Sequence, residues 1–196
     1  MPPEPDSHEI YLHLRVLIGV VLGLSLTRIL SGLSRLVQHP GRVPLYAPHL
    51  LWVLVILVSA IHFWWWEFGL ATIRVWRFEL FVFILFYAFL WFLLASLLFP
   101  DDLAEYAGYE DYFLSRRRWF FGLFALTFVV DYFDTILKGP ARLAQLGPEY
   151  EVRLAAGVLL CLAAMATRNR AFHLAFAGLF LLYDLSWIER AYDLLG

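Results

Sequence analysis

The feature that most constrains this chain is an apolar stretch between Arg15 and Arg35. It holds nineteen residues, of which only Arg28 is charged. As a helix it would be about 28 Å long at 1.5 Å per residue, close to the ~30 Å hydrocarbon core of a bilayer. Hydrophobic residues make up 62% of the whole chain, whereas soluble domains have about 45–50%. The stretch is therefore predicted to be a helix that spans a membrane.

Similar segments follow along the chain, so the predicted fold is an all-α, polytopic transmembrane helix bundle with about six spans. The candidate spans are residues 10–38, 46–70, 77–99, 117–138, 150–167 and 171–192. They form a single transmembrane domain over 10–196, after a short polar tail at 1–9. The fifth span has a short charge-free part, so either Glu151 and Arg153 lie shallow or this helix is only partly embedded in the membrane. Residues 101–116 are acidic and aromatic, and are expected to form either a short interfacial helix or a solvated loop.

Two of these spans end in similar sequences. Ile29–Leu36 and Ile136–Leu143 are identical at five of eight positions, which would fit a 3+3 inverted repeat of the kind found in several transporters. Six spans place both termini on one side of the membrane. Arginines cluster in the short loops of the other side, so the positive-inside rule favours both termini outside.

Composition and motifs argue against several classes of function. The net charge of −2 gives no basic surface, so no nucleic-acid partner is expected. Cys161 is the only cysteine, which excludes an intrachain disulfide and a thiolate metal cluster. No nucleophile–base motif or phosphate-binding loop is found, so no enzyme, metal site or cofactor is expected. Haem ligation by histidine pairs is an alternative, but His49 and His62, thirteen residues apart, do not share a helix face.

Small residues recur every four positions in the first span. They are Gly19, Gly23, Thr27 and Ser31, which together we call the small-residue stripe. Residues at this spacing lie on one face of a helix, and small side chains let membrane helices approach each other closely. The first helix is therefore expected to be the central, tightly packed helix of the bundle.

Ionisable residues inside the predicted spans are candidates for function, because burying them in a membrane is costly. They are Arg28, His62, Asp131, Asp134 and Asp184. The acids and His62 are expected in the half of the membrane nearer the termini, and Arg28 in the other half. Asp131 is expected to point inward, with Asp184 as its neighbour.

Two interpretations of these ionisable groups stay open. In the first they line a proton- or cation-binding cavity, where crowded carboxylates favour proton exchange. In the second they are structural: Asp134 pairs with Lys138 four residues further on, and Asp184 bonds to a neighbouring helix. The difference lies in whether the carboxylates face a common cavity or are each sealed by a partner.

Several strings in the chain resemble a group of small bacterial six-helix membrane proteins of unassigned function. The strings are Leu22–Leu33, Pro48–Trp52, Phe63–Trp65, Leu98–Asp101 and Arg117–Gly122. The resemblance implies a multi-pass protein of the bacterial inner membrane, with the lipid bilayer as its surroundings, and implies no activity. One hypothesis is a small channel or secondary transporter for protons, cations or a small solute. The alternative is a non-transporting module that binds a membrane partner, or itself, through the small-residue stripe.

Overall fold

The computed structural model describes residues 7–192, which fold into six helices without a strand in that range. The helices are α1 (Ser7–Gln38), α2 (Ala47–Trp66), α3 (Phe78–Ser96), α4 (Tyr109–Leu137), α5 (Pro140–Ala166) and α6 (Arg170–Tyr192). A 3-10 segment, Glu67–Thr72, continues α2. The predicted all-α bundle is confirmed.

Five of the helices are long and apolar enough to cross a membrane, and α5 is the exception. It bends at Gly147, whose φ of +68° is outside the helical region. Pro148 follows and has no N–H to donate to the preceding turn. The part after the bend corresponds to the predicted fifth span at 150–167. The molecule is thus a multi-pass membrane protein by the length and composition of its helices.

The central helix is α2, and the expectation that α1 is central is wrong. The backbone of α2 approaches those of α1, α3, α4 and α6. Half of the most apolar window of α2 is buried, against 28% in α1. No Asp, Glu, Lys or Arg lies between Ala47 and Trp66, so every face of α2 can be enclosed by other helices.

The small-residue stripe faces away from the bundle. Gly23, Thr27 and Ser31 are exposed, and a Cβ built at Gly19 or Gly23 would have no atom within 4 Å. The inner face of α1 consists instead mainly of large residues: Leu14, Ile18, Leu22, Ser25, Ile29 and Gly32. Lipid chains are as apolar as leucine, so hydrophobicity does not decide which face turns inward.

The segment 101–116 divides between a loop and a helix, which corrects the predicted interfacial element. The loop ends at Gly108, and α4 begins at Tyr109, eight residues before the predicted start. Tyr109, Tyr112 and Phe113 are buried, and the Tyr112 hydroxyl donates a hydrogen bond of 2.9 Å to the carbonyl of Leu97. Burial of these rings accounts for the extra two turns of α4.

Both described ends of the chain lie at one end of the bundle. The Ser7 hydroxyl donates to the Arg74 carbonyl at 2.6 Å, and the Tyr192 ring lies 5.8 Å from that of Trp65. We call this end the terminal face and the other end the opposite face. The predicted polar tail at 1–9 is helical from Ser7 onward, and residues 1–6 lie outside the described range.

The sequence match between Ile29–Leu36 and Ile136–Leu143 has no structural counterpart. The first segment is helical throughout, whereas the second is interrupted at Gly139, with a φ of +113°. The backbone of α1 packs along α3, but those of α4 and α6 do not come within 8 Å. An inverted repeat would require the two pairs of helices to pack alike.

Candidate functional site

A small polar cavity of about 50 Å³ lies inside the half of the bundle nearer the terminal face. Its polar lining residues come from α2, α3, α4, α5 and α6: Ser59, His62, Tyr87, Thr127, Asp131, Arg153 and Asp184. Aromatic rings make up the rest of the wall. One water needs roughly 10–15 Å³ by this kind of measure, so the cavity can hold a few waters or one small cation.

Asp184 bridges α6 and α2 at one side of this cavity. The Ser59 hydroxyl donates to one carboxylate oxygen at 3.2 Å, and the His62 Nδ1 lies 3.2 Å from the other. Asp184 is 3% exposed. The predicted bond from Asp184 to a neighbouring helix is therefore present, and with Nδ1 donating, the Nε2 of His62 is left as the basic atom of the ring.

Asp131 bridges α4 and α5 across the same cavity. It points inward as expected, at 7% exposure, but its partner is Arg153, whose Nη2 lies 3.1 Å from the carboxylate. The guanidinium also stands over the Trp187 ring, 4.9 Å from its centre. Arg153 is thus turned into the bundle, with its side chain 12% exposed. The expected neighbour Asp184 lines the cavity without bonding to Asp131.

Asp134 belongs to a separate, sealed cluster. Its carboxylate accepts a hydrogen bond of 2.5 Å from the Lys138 ammonium, which also lies 3.2 Å from Glu67. The three side chains are between 0% and 3% exposed, and none of the three residues lines the polar cavity. The predicted pairing of Asp134 with Lys138 within α4 is confirmed. Glu67 was missed, although it is the single charged residue within 46–70.

Arg28 lies far from both groups. Its guanidinium donates to the Asp101 carboxylate at 2.8 Å, and both side chains are substantially exposed. The hydrogen bond from Arg28 lowers the pKa of Asp101, and the positive charge of Arg28 adds to the effect. This pair ties α1 to the loop after α3 at the opposite face, so Arg28 takes no part in the polar cavity.

Two other histidines are held by backbone carbonyls near helix ends. The His49 Nε2 lies 2.6 Å from the Leu98 oxygen, and the His173 Nε2 lies 3.2 Å from that of Thr167. Both rings are nearly parallel to an aromatic neighbour. In residues 7–192 no group of three or more His, Cys, Asp or Glu side chains is placed to hold a metal ion. These contacts give the haem alternative no support.

A layer of aromatic side chains separates the polar cavity from the opposite face. Trp52 is fully buried and lies edge-on to four phenylalanines at centroid distances of 5.0–5.5 Å: Phe120, Phe121, Phe124 and Phe176. Such edge-to-face packing is favourable beyond the burial of area. The cavity is therefore closed by tightly packed apolar rings in that direction.

The five candidate residues thus fall in three places. His62, Asp131 and Asp184 share the polar cavity, Asp134 is sealed beside Lys138, and Arg28 lies at the opposite face.

No protein-family model, curated protein or solved structure matches the chain. Function is accordingly inferred from the geometry of the chain's own residues.

Proposed function

We propose that the protein is a small channel or secondary transporter that binds and releases a proton at the polar cavity, and so moves protons, or a cation or small solute coupled to them. The observation that supports this proposal is the meeting of Asp131, Arg153, Asp184 and His62 in one cavity. By the resemblance and the charge bias, the proposed location is the bacterial inner membrane with both termini outside.

The charges around the cavity support a site for one proton. Asp131 is neutralised by Arg153 at 3.1 Å, whereas Asp184 faces only His62 and a hydroxyl. With a neutral imidazole, the cavity has one excess negative charge, and with a protonated imidazole it has none. Because uncompensated charge is costly inside a membrane, the Asp184 carboxylate, which no lysine or arginine accompanies, is the proposed place for the proton.

Size and access narrow what such a site can bind. A volume of about 50 Å³ is too small for an organic solute beside the lining side chains. Release of a proton toward the opposite face requires the aromatic layer around Trp52 to move.

The bend at Gly147 lies six residues before Arg153, so a change in this bend would shift the guanidinium relative to Asp131. Motion of α5 would in this way be coupled to the charge in the cavity.

Proton flux into liposomes tests the proposal. Purified protein is reconstituted with an internal pH-sensitive dye, and a potassium diffusion potential is imposed with valinomycin. We expect acidification above that of protein-free vesicles, and loss of this flux in Asp184→Asn, which removes the charge but keeps the shape. Asp101→Asn, an identical change at the exposed pair on the opposite face, should retain it. No flux from the wild type, or equal loss in both variants, would contradict the proposal.

A second candidate function is self-association through the small-residue stripe. It is favoured by the exposure of Gly23, Thr27 and Ser31 on the outer surface of α1, where a second helix could approach closely. Förster transfer between labelled copies in liposomes should fall in Gly23→Leu. Val129→Leu, a change at an exposed position of α4, should leave it unchanged. An equal signal in both variants would exclude this surface.

A further inference from the structure

A second space, a groove of about 450 Å³, opens between α5 and α6. The two helices are joined by only three residues, 167–169, but their backbones have few close approaches. The walls are mostly apolar side chains that are exposed along the groove, including Val152, Leu160 and Leu179. A mostly apolar space of this size is within the range of ligand pockets.

The groove has a polar end near the terminal face. Arg190 donates two hydrogen bonds to the Glu149 carboxylate, at 2.8 and 2.9 Å, and the Tyr183 hydroxyl donates a third at 2.9 Å. Arg153 lines both this end of the groove and the polar cavity. Arg190 is thus the exposed cation at this end of the groove, at 52% side-chain exposure, whereas Arg153 is 12% exposed and is held by Asp131.

The length of the groove distinguishes between occupants. From Glu149 to Leu160 is eleven residues, or about 16 Å of helix, which is roughly half of the ~30 Å hydrocarbon core. A transmembrane helix of another protein would need an apolar surface across the full thickness. One hydrocarbon chain of a lipid in a single leaflet needs an apolar surface across only half of that thickness, with polar groups at one end.

We propose that this groove binds one acyl chain of a glycerophospholipid from the leaflet at the terminal face. The phosphate lies beside Arg190, because a guanidinium group donates hydrogen bonds well to phosphate oxygens. The chain extends toward Leu160 between α5 and α6. This lipid site does not depend on the proposed proton flux, since the groove and the cavity share a wall but not an occupant.

Native mass spectrometry of the reconstituted protein tests the lipid site. The chain is incorporated into vesicles of palmitoyl-oleoyl phosphatidylglycerol and then released into a mild non-ionic detergent. We expect the wild type to keep one bound phospholipid. Ala156→Trp fills the groove from α5 and should lose this adduct, whereas Ala163→Trp, at an exposed position of α5 outside the groove, should keep it.

Folding of each variant is checked by circular dichroism and gel filtration. If Ala156→Trp does not fold, Ala175→Phe on the α6 wall replaces it with the same expected loss. Equal phospholipid retention in wild type and a folded groove variant would overturn the proposal. So would a wild type that keeps no phospholipid, or keeps only a free fatty acid. The liposome flux is measured separately, so failure of one proposal is distinguishable from failure of the other.

Discussion

Replacing Lys138 by methionine should destabilise the protein strongly. Within residues 7–192, the ammonium is the only cation within 4 Å of Glu67 and Asp134, and its side chain has no solvent exposure. Methionine fills a similar volume but leaves two carboxylates facing each other in a site that water does not reach. Lys138→Met therefore measures the effect of losing the positive charge, with little change in packing.

The expected magnitude follows from the burial of this cluster. Removing one partner of a buried ion pair costs about 3–5 kcal/mol, since an uncompensated charge stays behind. For a chain of this length, 1 kcal/mol corresponds to roughly 2–4 °C in melting temperature, so Lys138→Met should lower it by about 6–20 °C. Glu67→Gln should cost less, because the Lys138–Asp134 pair at 2.5 Å remains.

Thermal unfolding in detergent micelles, followed by circular dichroism, measures this effect. Arg190→Met is the matched control, because it removes a cation from an ion pair whose side chains are 52% and 47% exposed. Exposed pairs contribute at most about 1 kcal/mol. If Lys138→Met loses no more stability than Arg190→Met, water reaches the ammonium and the cluster is not sealed.

Two further predictions concern α1. A Cβ at Gly32 would overlap the Phe99 ring, so Gly32→Ala should lower the free energy of unfolding by about 1–3 kcal/mol. Gly23→Ala, with open space around it, should be nearly neutral in the same melts. The pair Asp101–Arg28 should give a small acid-dependent contribution. The folded pKa of Asp101 is lowered, so its stabilising effect is present above the ordinary value of 3.8 and is lost as the pH falls through the lowered pKa. The difference in melting temperature between wild type and Asp101→Asn should therefore vanish in acid, and a difference that persists there would contradict the assignment.

The helices could be predicted because each depends on a local property of the sequence. Apolar length sets the spans, and the second and sixth span predictions differ from the helices by only a few residues. The place of each helix in the bundle could not be predicted in this way. Leu14 and Leu24 are equally apolar, yet the first is fully buried and the second faces outward at 53% exposure. Hydropathy does not distinguish these positions when the surroundings are lipid.

Three residues of the candidate site could be predicted from the sequence, but the side chains that they bond to could not. Asp131, Asp184 and His62 were chosen because burying an ionisable side chain in a membrane is costly, and these three residues do share a cavity. Arg153 was expected to lie shallow, or its helix to be only partly embedded, because the charge-free part of the fifth span is residues 154–167 alone. The pairing of Arg153 with Asp131 depends on the bend at Gly147 and on the rotation of α5 relative to α4. Neither can be derived from the order of residues in the sequence. One signal could have indicated this pair: a basic residue and an inward-facing acid that lie at the same depth on two different spans.

The buried acids differ in whether a lysine or an arginine accompanies them. Glu67 and Asp134 share Lys138, with the Arg142 guanidinium nearby, 4.3 Å over the Trp66 ring. Asp131 has Arg153. Asp184 alone among the buried carboxylates of residues 7–192 pairs with a group, His62, whose charge is set by protonation. The pair Asp184–His62 is thus the one buried acid site of residues 7–192 without a lysine or arginine partner, and this is the geometric basis of the proton binding that we propose at the cavity.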